Sequence, residues 1–295
     1  MRGSANLSET DARHTAEFLR VKALAERGVA SAQHSLGFMY VNGQGVPRND
    51  ELAVAWYRMA ASSGLEQAQY NLGVMYQKGQ GVAQDLGQAL YWYRQAAEQG
   101  YVQAQYNLGW LYAKGQGTPA DVHEALHWFG KAAAQGDPGA QHNLGMMYEG
   151  GKGVAQDVAL AVEWYRKAAE QNYARSQFNL ALRYDSGQGI ARDVQQAIHW
   201  FRKAAEQGYA PAQFNLGLRY DKGIGPWTVN YALLRGWGYA DCSLHGDVAV
   251  RNAIGRLTGG ERPGMREAEA FLETYRPHRT MAAAYLWASL NQPAG

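Results

Sequence analysis

A single step of 36 residues runs through most of this chain. The segments AQHSLGFMY, AQYNLGVMY, AQYNLGWLY, AQHNLGMMY, SQFNLALRY and AQFNLGLRY place Leu36, Leu72, Leu108, Leu144, Leu180 and Leu216 at that interval. A second block, headed by Trp56, Trp92, Trp128, Trp164 and Trp200, keeps the same step. Self-similarity at such a period marks stacked supersecondary units, none of which can bury its apolar side alone.

Each unit reads as two helices. In the first, Ala68, Leu72 and Tyr76 fall at i, i+4 and i+8; in the second, Ala89, Trp92, Tyr93, Ala96 and Ala97 form a similar apolar stripe. The loop between them, KGQGVAQD, ends in the column Asn49, Asp85, Asp121, Asp157, Asp193, side chains that accept hydrogen bonds from the free amides of a helix start. Gly64, Gly100, Gly136 and Gly208 follow the second helix, with Asn172 as the exception, where a left-handed residue commonly ends a helix. The loop glycines (Gly79 and Gly81 and their equivalents) are invariant within the chain, as positive φ requires. The helical column Gly37, Gly73, Gly109, Gly145, Gly217 admits Ala181, so smallness and close helix approach explain it better.

The pattern Ala-x-x-x-Leu-Gly-x-x-Tyr-x-x-Gly-x-Gly-Val, then Asp, Ala-x-x-Trp and Ala-Ala-x-x-Gly, resembles the Sel1-like repeat family; a tetratricopeptide array has a 34-residue period and lacks the two extra loop residues. The resemblance implies an all-α, right-handed superhelical solenoid of about six antiparallel helix-pair repeats with helical caps at both ends. It further implies a protein-interaction adaptor, most often bacterial, in roles such as envelope assembly, host interaction or effector neutralisation. The expected organisation is a disordered or vector-derived leader over 1–14, where MRGS resembles such a leader, and a capping helix over 15–29. Six repeats follow over 30–225, then a degenerate repeat and helical cap over 226–295.

Composition narrows the function. With 28 basic and 26 acidic residues the chain lacks the charge excess of nucleic-acid binders. Its one cysteine, Cys242, cannot form an intrachain disulfide, so the disulfide-clamped members of the family are a different subtype. The longest apolar run, in MAAAYLWASL, is too short to span a bilayer. A monomer is expected, cytoplasmic as the sequence stands, or periplasmic or exported if a signal peptide preceded it.

Catalytic readings are weak. His123-Glu124-Ala125-Leu126-His127 matches H-E-x-x-H, which puts two imidazoles on one helix face for zinc with a glutamate as base. The third ligand position of the longer motif is Ala133, a repeat alanine, and with Trp128 and Ala132 inward both histidines point to solvent. A zinc hydrolase on His123 and His127 is therefore only an alternative, and no catalytic residue, metal or cofactor is expected. The KGQG loops lack the Gly-Lys-Ser/Thr of a phosphate cradle. Cys242 beside His245 makes a poor nucleophile pair. Sixteen of the 35 aromatic residues belong to the Tyr40, Trp56 and Tyr57 columns, and so to helix packing, which weakens a carbohydrate-binding module using Trp110.

The informative positions lie on the first helix away from its core stripe. With Leu72 at 0° and about 100° per residue, Asn71 points to about 260°, Val74 to about 200° and Tyr70 to about 160°. Across units this side carries Asn71, Asn107, Asn143, Asn179 and Asn215, with a varying companion: Phe38, Val74, Trp110, Met146, Leu182, Leu218. If these helices line a concave wall, the asparagines would hold an extended peptide through its backbone while the companions read its side chains. The opposing reading is that the asparagines tie neighbouring units together and the Tyr70, Tyr106, Phe178, Phe214 column packs on the preceding unit. Arg183 and Arg219, where other units have Met or Leu, are expected to bridge to carboxylates across a repeat boundary or to receive an acidic ligand group. Arg94 with Glu98, Arg166 with Glu170 and Arg202 with Glu206 are expected as exposed i, i+4 pairs.

Overall fold

The repeated stripe, cap and stop signals generate a repeated pair of helices. The computed structural model describes the backbone of residues 3–221 and the side chains of 13–216. Over that range the fold is all-α, twelve helices and no strand among the described residues: α1 (Gly3–Glu26), α2 (Ala30–Asn42), α3 (Asp50–Ser62), α4 (Glu66–Lys78), α5 (Leu86–Glu98), α6 (Val102–Lys114), α7 (Val122–Ala134), α8 (Pro138–Gly150), α9 (Val158–Glu170), α10 (Ala174–Ser186), α11 (Val194–Glu206) and α12 (Ala210–Asp221). The first helix begins at Gly3, inside the segment expected to be a leader. The expected C-terminal cap over 226–295, Cys242 and His245 lie outside the described residues.

The chain divides into two compact units, Met1–Asp157 and Val158–Gly295, at the loop of the fourth repeat. In the first, each of α1 to α7 packs on the helix that follows it; in the second, α9 on α10, α10 on α11 and α11 on α12. Each unit is thus a solenoid-like stack of helix pairs.

Both ends of the second helices are built as the sequence indicates. Asn49, Asp85, Asp121 and Asp193 accept hydrogen bonds from amides of the following first turn at 2.9–3.0 Å, worth about 1 kcal/mol each. At the other end Gly64, Gly100, Gly136 and Gly208 are left-handed, and so is Asn172 (φ 63°). Asparagine tolerates that conformation better than other side chains, which explains the exception.

The core runs along the seam between the helices of each pair. Leu36, Leu72, Leu108 and Leu180 are fully buried, as are the paired alanines Ala60, Ala96, Ala132 and Ala168. The ring after the tryptophan is the more deeply buried: Tyr93, Tyr165 and Phe201 are solvent-free, whereas Trp56, Trp92 and Trp164 are half-buried. The helical glycines exist for that ring. A Cβ on Gly73 would stand 2.8 Å from Tyr93 Cδ1, and Gly37 and Gly109 meet Tyr57 and Phe129 in the same way. The second loop glycine answers to a further demand besides positive φ. A Cβ on Gly81 (φ 66°) would run into the Asp50 carbonyl at the start of the preceding second helix, so the loop backbone itself seals one repeat onto the last.

Candidate functional site

A buried glutamine column fixes how the first helices lie. Gln33, Gln69, Gln105, Gln177 and Gln213 each donate from Nε2 to the carbonyl eight residues earlier, near the end of the preceding second helix, at 3.0–3.3 Å. Their Oε1 atoms accept in turn: Gln99 donates to Gln69 (2.7 Å), Gln135 to Gln105 (2.8 Å) and Gln207 to Gln177 (2.7 Å). These amides give each helix-terminal carbonyl a second donor, beside the backbone N–H of the glycine or asparagine three residues on. Sequence reasoning passed over them, although the signal stood in the Ala-Gln pairs that open five of the six units and the Ser-Gln that opens the fifth.

The arginines of the second helices serve the same end. Arg58 donates to Tyr76 Oη at 2.9 Å, Arg94 to Tyr112 Oη, and Arg166 to Tyr184 Oη at 3.4 Å, each 18 residues on. The expected i, i+4 pairing of Arg94 with Glu98 and Arg166 with Glu170 is replaced by these bonds, because a tyrosine hydroxyl half-shielded by the next repeat is a better-placed acceptor than a freely solvated carboxylate.

With the helices so placed, the asparagines of α4 and α6 join neighbouring repeats. Asn71 Nδ2 lies 2.9 Å from His34 Nε2 on α2, and Asn71 also bears on the Tyr57 phenol, tempering the rise that burial gives it. Asn107 on α6 bears on the Tyr70 phenol of α4 and on that of Tyr93, tempering the rise that burial gives both. Burial pushes the His34 imidazole below its ordinary range and the Tyr57, Tyr70 and Tyr93 phenols above theirs. All are held in their neutral forms near neutral pH, as an uncharged hydrogen-bonded ladder requires. Asn143 and Asn179 are half-buried at the equivalent positions. Asn215 turns back to the Pro211 carbonyl at 2.9 Å.

The Tyr70 column packs forward. Tyr70 lies against Tyr93 and Tyr101 (centroids 5.7 and 5.2 Å), Phe178 against Phe201 and Tyr209 (5.6 and 5.4 Å), and Tyr106 against Phe129 (5.8 Å). These rings cover the second helix of their own repeat and the residue that starts the next, instead of the preceding unit.

The companion column remains at the surface. Phe38 is 48% exposed and Met146 47%; Val74, Trp110 and Leu182 are half-buried. Because Asn71 touches His34 and Asn107 touches Tyr70, the residues three or four positions further on, Phe38, Val74 and Trp110, fall into one row across α2, α4 and α6. Leu218 and Arg219 lie outside the residues whose side chains are described. Arg183 is half-buried, and its Nη1 donates to Gln188 Oε1 at 2.6 Å in the loop of its own repeat. That geometry gives it an anchor within its own repeat.

His123 and His127 are both exposed on α7. His127 stands edge-on to the Trp128 ring at 5.0 Å, and Trp128 Nε1 donates to Glu124 at 2.9 Å, so the glutamate of the H-E-x-x-H pattern is engaged as an indole acceptor. No group of three or more His, Cys, Asp or Glu suited to a metal ion exists among the described residues. No described helix is long and apolar enough to cross a membrane.

The Sel1 repeat matches residues 30–65, 66–101, 102–137, 138–173, 174–209 and 210–233. Among solved structures, the chain is similar to c5321, a protective antigen present in uropathogenic Escherichia coli strains that displays an SLR fold (TM-score 0.74, 32% identity, 92% of this chain covered). It spans 59% of the length of that protein. It is also similar to a Sel1 repeat protein from Oxalobacter formigenes (TM-score 0.66, 32% identity, 79% of this chain and 98% of that one). No protein of curated function matches it significantly.

Proposed function

The chain belongs to the Sel1 repeat family, whose members generally act as protein-interaction scaffolds, and from that premise we propose that it is a non-catalytic adaptor binding a partner protein or extended peptide along its first helices. One observation carries the reading: the Phe38, Val74, Trp110, Met146 column is apolar in each of these repeats yet stands at the surface, two of its members nearly half exposed. Side chains that the core does not use and water does not favour are suited to a partner's apolar groups. Asn143 lies beside Met146 on α8, Asn179, Leu182 and Arg183 carry the equivalent columns on α10, and Asn215, Leu218 and Arg219 continue them in the sequence. Asn71 and Asn107 hold the row in register and offer their remaining amide valences to a bound backbone. Roles in envelope assembly, host interaction or effector neutralisation belong to this proposal and are decided by the partner's identity.

The test is a photo-crosslinking amino acid placed at position 110 or 146 and, as the control, at 127 on the outer surface of α7. A discrete partner crosslinked from 110 and 146 but not from 127 supports the reading. Equal yields from all three positions, or crosslinks from 127 alone, overturn it.

A further inference from the structure

On the premise of the preceding proposal, the charges around the apolar row specify what it takes. The helices α2, α4 and α6 carry one carboxylate among them, Glu66 in the first turn of α4, where Gln67 Nε2 donates to it at 2.8 Å. One helical turn beyond Val74 and Trp110 stand Lys78 and Lys114, both exposed and neither with an ion-pair partner among the described residues. The row thus joins three apolar side chains to two ammonium groups on the same helix faces; the nearest acids in the backbone register, Asp85 and Asp121, bond through their own N–H to Tyr76 and Tyr112 and form no ion pair with either lysine. A basic segment laid across it would meet repulsion, and an acidic one attraction.

Spacing adds a second constraint. Asn71 on α4 reaches His34 on α2 directly, and helices in side-chain contact lie about 8–10 Å apart. A polyproline II segment advances about 3.1 Å per residue and returns to the same side every third residue, about 9 Å on; a flat strand presents its third residue on the opposite side. We infer that the α2–α4–α6 surface binds an extended acidic segment of a partner protein, with an apolar side chain at every third position over Phe38, Val74 and Trp110 and carboxylates directed at Lys78 and Lys114.

The probe is a dye-labelled peptide of repeated Pro-Glu-Leu triplets, its counterpart the same peptide with Lys for Glu, and the readout fluorescence anisotropy at low and at physiological salt. Two surface ion pairs gained against two like-charge contacts correspond to a preference of about tenfold for the acidic peptide at low salt, shrinking as salt rises. Lys78→Glu with Lys114→Glu reverses the preference. Lys22→Glu with Lys131→Glu, which changes the net charge equally on second-type helices, preserves it, and circular dichroism checks that each variant is folded. Equal binding of the two peptides, no binding of either, or a preference that survives the Lys78 and Lys114 reversal overturns the acidic assignment. If it falls while position 110 still crosslinks a partner, the surface stands and only its ligand class is wrong.

Discussion

Ser63→Gln should stabilise the amino-terminal end of the array. In three described repeats the buried glutamine of the first helix receives a hydrogen bond from a glutamine 30 residues on: Gln99 to Gln69, Gln135 to Gln105, Gln207 to Gln177. In the first repeat that position is Ser63, whose short side chain turns back to the Met59 carbonyl at 3.2 Å, and Gln33 Oε1 is left buried without a partner. A buried acceptor without a donor costs about 1–3 kcal/mol. Ordering an exposed glutamine consumes part of that gain, so the net is about 1 kcal/mol. Repeat arrays need not unfold in one step, so a single melting temperature would blur the effect. Hydrogen exchange resolved to α1, α2 and α3 reads it locally, and about 1 kcal/mol slows exchange there about fivefold. Gln99→Ser should do the reverse around α4 and α5. The control is Gln33→Leu, which removes the acceptor. If Ser63→Gln slows exchange as much in that background, helix propensity explains the gain and the glutamine ladder has no part in it.

Three further outcomes follow from the same contacts. Gly130→Arg should stabilise α7 by about 1 kcal/mol through helix propensity, since nothing lies within 4 Å of a Cβ there; it should also let residue 130 reach Tyr148 as Arg94 reaches Tyr112, and a urea titration checks both against Gly130→Ala. Gly73→Ala should destabilise by about 1–3 kcal/mol despite its better propensity, because its Cβ meets the Tyr93 ring, which a 2.7 Å bond from Tyr93 Oη to Gln77 holds in place. Gly109→Ala should cost less, as Phe129 has no hydroxyl to tether it, and paired urea titrations compare the two. Burial lowers the His34 pKa in the folded chain, so the stability it contributes is present above the unfolded value of 6.5 and is lost as pH falls through the folded one. Protection in α2 and α4, taken relative to the intrinsic exchange rate at each pH, should therefore fall below pH 6.5 in the wild type and not in His34→Phe.

The helices were legible because each boundary has a chemical cause confined to a few residues: a capping Asp, a left-handed Gly, an apolar stripe of fixed period. The same local logic placed His123 and His127 at the surface and assigned smallness to the helical glycines. What it missed is non-local. The partner of Arg94 is 18 residues away and the partner of Gln105 is 30 away, and no helical wheel brings those groups together. Asn71 illustrates the difficulty. Its angle on the wheel is compatible with a free surface or with a seam, and only the position of α2 beside it shows that His34 takes one of its amide protons. The forward packing of Tyr70 onto Tyr101 was hidden for the same reason, since it depends on where the next repeat begins.

Repetition within one chain supplies a criterion for function that a single helix does not. A column pinned by packing keeps one residue type: leucine at 36, 72, 108, 144, 180 and 216, and glutamine at 33, 69, 105, 141, 177 and 213. A column exposed at the end of the first helix and unused by the core, such as Asn42, Lys78, Lys114, Gly150 and Ser186, takes any residue, mostly polar or small. The column at 38, 74, 110, 146 and 182 obeys neither rule, because it varies as a solvated position does while remaining Phe, Val, Trp, Met and Leu. Packing inside the repeat does not account for this, since Phe38 and Met146 keep nearly half their surface exposed. Apolarity without a fixed shape is what a surface needs when each repeat meets a different side chain of one extended ligand. Exchanging Trp110 for the valine of the preceding repeat should therefore leave stability within about 0.5 kcal/mol and weaken the acidic triplet peptide, whereas exchanging Leu108 for valine should cost about 1 kcal/mol or more of stability. Equal losses of stability in the two variants would show that the column belongs to the core after all.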